Sequence, residues 1–237
     1  VGIVGPEWFG IDTYFLDSWR DLTLFVNRTW NLMENWTLTA LPMFIFMGLM
    51  LERSGLAETL MQNFVQVFGR FRGGLALAAV LIGILFAAST GIVGASVVLL
   101  TVLAMPVMLE QGYSKGMASG TLASAGTLGI LIPPSIMLVI MGDQLSLSVG
   151  NLFMGAVIPG LLLGFLYIAY ILLTAIFRPS VAPAPTHLEP LSATVVFRTL
   201  LSVVPPIALI FAVLGTIFLG IATPTEAAGI GAAGATV

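Results

Sequence analysis

Charged side chains cut this sequence into long uncharged stretches, at residues 35–51, 73–109, 116–142, 144–177 and 199–225. A helix that crosses a bilayer needs about 20 mostly apolar residues, because each adds only about 1.5 Å of rise. The first stretch suits one short or tilted span, and the second is too long for one helix and slightly short for two. Taken together, the pattern predicts an all-α polytopic membrane protein with roughly five to seven passages.

Two polar segments separate the runs. Residues 52–72, ERSGLAETLMQNFVQVFGRFR, place Leu56, Leu60, Phe64, Val67, Phe68 and Phe71 about one helical face, which predicts an amphipathic helix lying on the membrane. Residues 178–198 carry Pro179, Pro183, Pro185 and Pro190 together with His187, and read as an extended loop outside the bilayer. Positive-inside counting puts the loops around Arg53, Arg70 and Arg72 and around Arg178 and Arg198 in the cytoplasm. Residues 1–36 mix acids and arginines with Trp8, Trp19, Trp30 and Trp36, the composition of a polar, interfacial segment.

Two apolar runs are interrupted at membrane depth. The first, Phe86 to Val98, reads FAASTGIVGASVV and holds Ser89, Thr90, Gly91, Gly94 and Ser96. The second, Gly120 to Met141, reads GTLASAGTLGILIPPSIMLVIM and sets Gly126, Thr127 and Gly129 before Pro133 and Pro134. A double proline removes two amide donors, and lipid cannot satisfy the freed carbonyls. Such backbone persists only where protein or a wet cavity surrounds it, and its oxygens are hard ligands suited to Na⁺. The plainer reading is helix packing: small-xxx-small spacings such as Gly91 to Ala95 and Gly116 to Gly120 let helices approach, and a proline often only kinks. Packing explains either segment alone; both together, with hydroxyls beside each break, point to an ion or substrate site.

Composition narrows the chemistry. Hydrophobic residues make up 58% of the 237, charged residues 8%, and mean hydropathy is +1.08, against roughly a quarter charged in soluble domains. Eight basic against eleven acidic residues leave too little positive charge for nucleic acid. With no cysteine and one histidine, disulfide scaffolds, Cys/His zinc sites and Cys/His catalysis are excluded, so a bound metal takes oxygen ligands. There is no P-loop sequence, and no Ser/His or paired-acid arrangement for an intramembrane protease, so no enzymatic activity is expected. Gly229, Gly231 and Gly234 formally satisfy G-x-G-x-x-G, but no strand precedes them and helix packing is the better reading. Glu226, in ATPTEAAG, is open to two readings: an intramembrane functional carboxylate, or, favoured, a first-turn acid with Thr223 or Thr225 capping and Pro224 early in the helix.

The strings Leu41 to Glu58, Gly69 to Val98, Met108 to Asp143 and Gly150 to Gly164 resemble the large membrane subunit of tripartite ATP-independent periplasmic (TRAP) transporters, GTLGILIPPS being the most specific part. The resemblance runs from about residue 37 to the end, and GIATPTEAAGIGA (Gly220 to Ala232) is similar to the junction into that subunit's second half. With Val1 at one end and an apolar GIGAAGATV at the other, the sequence reads as a piece of a longer chain, roughly the N-terminal half.

The resemblance implies an elevator-type fold of two inverted repeats, each with a re-entrant hairpin and a broken helix. Residues 1–36 would be the N-terminal segment, 37–198 the first repeat, and 199–237 the start of a truncated second. It implies Na⁺-coupled import of organic acids such as dicarboxylates across the bacterial inner membrane, with a small membrane subunit, separate or fused, and a periplasmic substrate-binding protein as partners. Carried onto this chain, Ser89, Thr90, Gly91, Ser96, Gly126 and Thr127 would form a Na⁺ site, and Ser124, Gly129, Pro133, Pro134 and Ser135 would line the substrate path. Many relatives have S-G-S-S at the hairpin tip; here Thr90, Ile92 and Val93 take the places of its serines, which shifts ligation toward backbone carbonyls. A non-transporting scaffold or channel-like subunit is the alternative.

Overall fold

A computed structural model describes residues 21–91, 93–183 and 193–236. Among them every regular element is helical, and the chain divides at residues 36 and 37 into a short N-terminal unit and a main one. The N-terminal unit holds α1 (Asp21–Met33), an exposed helix whose Trp30 indole donates to the Glu34 carboxylate at 2.8 Å. Residues 199–236 pack into the main unit with residues 37–183. His187, Pro185 and Pro190 lie outside the described residues.

In the main unit, α2 (Trp36–Arg53) and α3 (Leu56–Phe68) meet at a 55° bend over Ser54 and Gly55. Gly55 makes the bend at φ 74°, a left-handed conformation that glycine adopts without a Cβ penalty. The α3 face that periodicity marked as apolar buries Leu60 and Phe64, with Ala57 and Met61, in the protein's own core. The helix therefore packs on neighbouring helices, chiefly α4 (Gly74–Thr90) and α9 (Ala193–Phe218).

The run at 73–109 folds back on itself as α4 and α5 (Val93–Glu110), antiparallel around Gly91. The run at 116–142 is split into α6 (Lys115–Thr127), a 3₁₀ turn at Leu128–Ile130, and α7 (Ile136–Gln144). Unbroken helices follow: the 29-residue α8 (Val149–Phe177) and α9, then α10 (Pro224–Gly234). Three described helices, α5, α8 and α9, are long and apolar enough to cross a membrane, or up to four spans if the bent α2–α3 pair counts as one. The five to seven passages expected are not all single long helices, because α4 and the two parts of the broken helix use their apolar residues in segments too short to span singly.

Two cores result. One joins α3, α4, α5, α6 and the end of α8 around Leu60, Ile82, Phe86, Leu100, Met108 and Leu122; the other joins α2, α7, the start of α8, α9 and α10 around Phe44, Met47, Phe153 and Val213. Between them the segment of the break buries Leu128 and Ile132 against Leu163 and Tyr167. Outside, α8 presents Ile158, Phe165, Ile176 and Phe177, each exposed by 65% or more, the surface of a helix that faces lipid.

Candidate functional site: the meeting of the hairpin tip and the broken helix

The hairpin and the broken helix meet at their interruptions. Gly91 turns the hairpin at φ 60°, and a Cβ there would lie 3.1 Å from the backbone nitrogen of Ile136 and 3.5 Å from the carbonyl oxygen of Pro134. Lower down, α5 and α6 touch backbone to backbone: a Cβ on Gly126 would run into Val97, 2.9 Å from its backbone nitrogen. On the other side, a Cβ on Gly83 of α4 would lie 2.7 Å from the Ala125 Cβ and 3.0 Å from the Ala125 carbonyl. Glycines at 83, 91 and 126 thus seat the whole hairpin on the broken helix. Gly160 of α8 completes the support, since a Cβ there would stand 3.1 Å from the Leu131 carbonyl.

The chain at the break has unusual backbone chemistry. The Leu131 and Ile132 amides both donate to the Leu128 carbonyl, at 3.0 and 2.9 Å. Pro133 and Pro134 carry no N–H, so the helical donors to the carbonyls four residues back, Gly129 and Ile130, are absent. Ser135 then takes an extended conformation (φ −119°, ψ 127°) and α7 begins. The first-turn amides of α7 have no intrahelical acceptor, and α5 begins at Val93 just past Gly91. Two helix N-termini, each with a partial positive charge, therefore converge where two interrupted segments touch.

Ser135 sits at the centre of this meeting. It is fully buried, and its Oγ has no hydrogen-bond partner among the described residues. An unpaired buried hydroxyl costs about 1–3 kcal/mol. Oxygen is the only donor type on offer: among the described residues no cluster of His, Cys, Asp or Glu is placed to hold a metal. Neutral hydroxyl and carbonyl oxygens match a monovalent hard cation better than a transition metal.

The sequence-predicted residues separate into four groups. Gly91 meets Pro134 and the start of α7 beside Ser135, so members of the expected ion and substrate sets adjoin there, with Pro133 next in the chain and Gly129 in the preceding 3₁₀ turn. Ser96 and Gly126 lie on the adjoining α5–α6 contact, Ser96 being 2% exposed. Thr127 and Ser124 stand apart: the Thr127 hydroxyl is exposed and donates to the Ser124 carbonyl at 2.7 Å, while Ser124 faces a groove between α6 and α8. Ser89 and Thr90 belong to the last turn of α4, and their side chains lie outside the described residues, as does Ile92. Gly83 and Gly160 were missed; a glycine inside an apolar run signals close approach only once its neighbour is known.

Glu226 has a structural role. The Thr223 amide and hydroxyl both donate to its Oε2, at 2.8 and 2.9 Å, and the Glu226 amide donates to the Thr223 Oγ1 at 3.3 Å. That reciprocal capping box, with Pro224 beside it, starts α10. Gly231 of α10 packs against Met47 and Val213, so the G-x-G-x-x-G glycines serve helix packing.

A polytopic helical protein whose hairpin tip meets a broken helix has the architecture of a membrane transporter with discontinuous helices. The comparison with known proteins specifies the family: residues 9–237 match the family model described as "Tripartite ATP-independent periplasmic transporter, DctM component", and the chain belongs to that family. It is 39% identical, over 84% of its length, to a C4-dicarboxylate TRAP transporter large permease protein DctM of Vibrio cholerae, and 37% identical, over 91%, to the protein of the same name from Pseudomonas aeruginosa. It is also 33% identical, over 84%, to an isethionate TRAP transporter permease protein DctMQ of Oleidesulfovibrio alaskensis. These matches cover 43%, 49% and 31% of the relatives, so the chain spans about half or less of the curated proteins it matches. The relatives are named as transporter permeases, not as enzymes.

Proposed function

We propose that this chain forms part of the large permease subunit of a Na⁺-coupled importer of organic acids in the bacterial inner membrane. In this reading it works with a small membrane subunit, separate or fused, and a periplasmic binding protein that delivers the acid. Membership of the DctM family supports the transporter class, and the relatives' names support C4-dicarboxylates or similar small organic anions as cargo. The single observation that carries the ion-coupled mechanism is the buried, unpartnered Ser135 hydroxyl at the contact of Gly91 with Pro134 and Ile136.

The chemistry follows from the donors. The Ser135 Oγ and the freed Gly129 carbonyl, with backbone carbonyls of the hairpin tip, are the groups that would hold Na⁺. Bound there, the ion supplies the positive charge that this locus lacks in side chains. Ser135, by turning its lone pairs to a cation, would fix the hairpin tip against α7. That fixing orients the first amides of α5 and α7, which can then receive a carboxylate. Coupling is thus a matter of order: the tip and the break are tied together by one cation, and the tied geometry is the one that accepts the anion.

Reconstitution of the full-length permease with its small subunit and binding protein tests this. Labelled dicarboxylate uptake is expected only with both the binding protein and an inward Na⁺ gradient, and Ser135→Ala is expected to raise the half-saturating Na⁺ concentration about tenfold, the loss of one ligand oxygen. Uptake with the wild-type Na⁺ dependence in Ser135→Ala would contradict the assigned locus. Current passing without substrate or a fixed stoichiometry would instead make the protein a channel-like subunit.

A further inference from the structure

Away from the hairpin tip, α6 and α8 enclose a groove of about 370 Å³ whose residues the proposed transport mechanism does not use. Its mouth lies at the end of the unit where three loops gather. There a Cβ on Gly73 would touch Ala175, the Ser114 amide donates to the Val181 carbonyl at 3.1 Å, and Gly112 faces Pro183. Arg70, Arg72, Lys115 and Arg178 all stand at that end, with Glu110. From Arg178 and Gly116 at the mouth, the groove descends to Thr121, Ser124 and Tyr167. From 116 to 124, α6 rises about 12 Å.

Three observations indicate that the groove is built for an occupant. A Cβ on Gly116 or Gly120 would meet no heavy atom within 4 Å, so these glycines do not serve helix packing in this unit and instead leave the groove wide. Thr121 is 7% exposed and is a polar residue on the groove wall. The Arg178 guanidinium, an exposed group on the groove, has no carboxylate partner among them either.

The chemistry changes with depth. A cation stands at the mouth, the hydroxyls of Thr121 and Tyr170 come next, and Val80, Met117 and Ile171 supply apolar wall. The groove follows about 12 Å of α6, a length that suits an extended stretch of acyl chain. A small dianion would need a second cation at depth, and none lines the groove. We propose that this groove holds one anionic phospholipid, its phosphate on Arg178, its ester carbonyls accepting from Thr121 and Tyr170, and an acyl chain along the face left open by Gly116 and Gly120.

The test uses the full-length protein in detergent, with melting temperature and native mass spectra as readouts. Dioleoyl phosphatidylglycerol is expected to raise Tm and to remain bound one per chain, dioleoyl phosphatidylcholine to do so weakly, and inorganic phosphate not at all. Gly120→Leu, which fills open space, should keep the lipid-free Tm and lose the shift. Arg178→Gln removes an exposed, unpaired group and so leaves the fold intact; it should raise the half-saturating phosphatidylglycerol about tenfold and erase the preference over phosphatidylcholine. Equal responses to the two lipids, a shift with phosphate alone, or wild-type phosphatidylglycerol binding in both variants would each overturn the proposal. So would another chain or a helix of the permease cross-linking to residue 120 in place of the lipid.

Discussion

One helix shows two opposite uses of small residues. On the α6 face toward the hairpin, Gly126 and Ala125 meet the backbone of α5 and the Gly83 region of α4 so closely that no added methyl fits. On its other face, Gly116 and Gly120 look into open space. In sequence the two pairs are equivalent, small residues in an apolar helix. In the fold one pair locks the hairpin on the broken helix and the other keeps a groove clear. A small-residue pattern therefore predicts close approach or cavity, and only the partner's position decides which.

That contrast can be broken by substitution, starting with the largest effect. Gly126→Val pushes side chain into the Val97 backbone, which cannot yield as a flexible tip would, and should lower stability by about 3 kcal/mol or prevent folding. Denaturation of the purified protein, or loss from the membrane fraction, reads this out. Gly91→Ala adds a Cβ at φ 60° and at 3.1 Å from the Ile136 nitrogen, for a cost of about 1–2 kcal/mol, and should impair transport more than folding because it parts the tip from the break. Measuring uptake per folded molecule separates the two. Thr223→Ala removes the N-cap of α10 and should cost about 1 kcal/mol without changing Na⁺ dependence. Gly120→Ala is the smallest: with nothing within 4 Å, the melting temperature should stay level or rise slightly, since alanine favours a helix by up to about 1 kcal/mol. A fall as large as that of Gly126→Val would erase the distinction between the faces.

Much of the fold was legible because membranes impose strong rules. The double proline at 133 and 134 and the glycine at 91 announced interruptions that lipid cannot tolerate, and both interruptions are there. The start of α10 was legible as a cap with Pro224 beside it, since capping is local, though the sequence left Thr223 and Thr225 both open as the capping residue. Hydropathy registers apolar length and not a break such as that at Gly91, so it does not by itself fix the number of spans. Amphipathicity likewise marked the buried face of α3 and not what covers it; Leu60 and Phe64 face protein. Within the site, sequence picked hydroxyls by type. It could not tell Ser135, buried without a partner, from Thr127, whose hydroxyl is exposed and satisfied by its own helix. That difference depends on which side of a break each residue falls, a tertiary property with no periodic signature.

The most direct test of the central claim is the thermal stability of the Ser135→Ala full-length permease, measured with and without Na⁺ at constant ionic strength. An unpaired buried hydroxyl kept for a cation makes two predictions at once. Without Na⁺ the variant should melt at or above the wild-type temperature, freed of a penalty of about 1–3 kcal/mol, and the Na⁺-dependent rise shown by the wild type should vanish. A variant that melts lower in the absence of Na⁺ and still gains the full Na⁺-dependent rise would contradict the account.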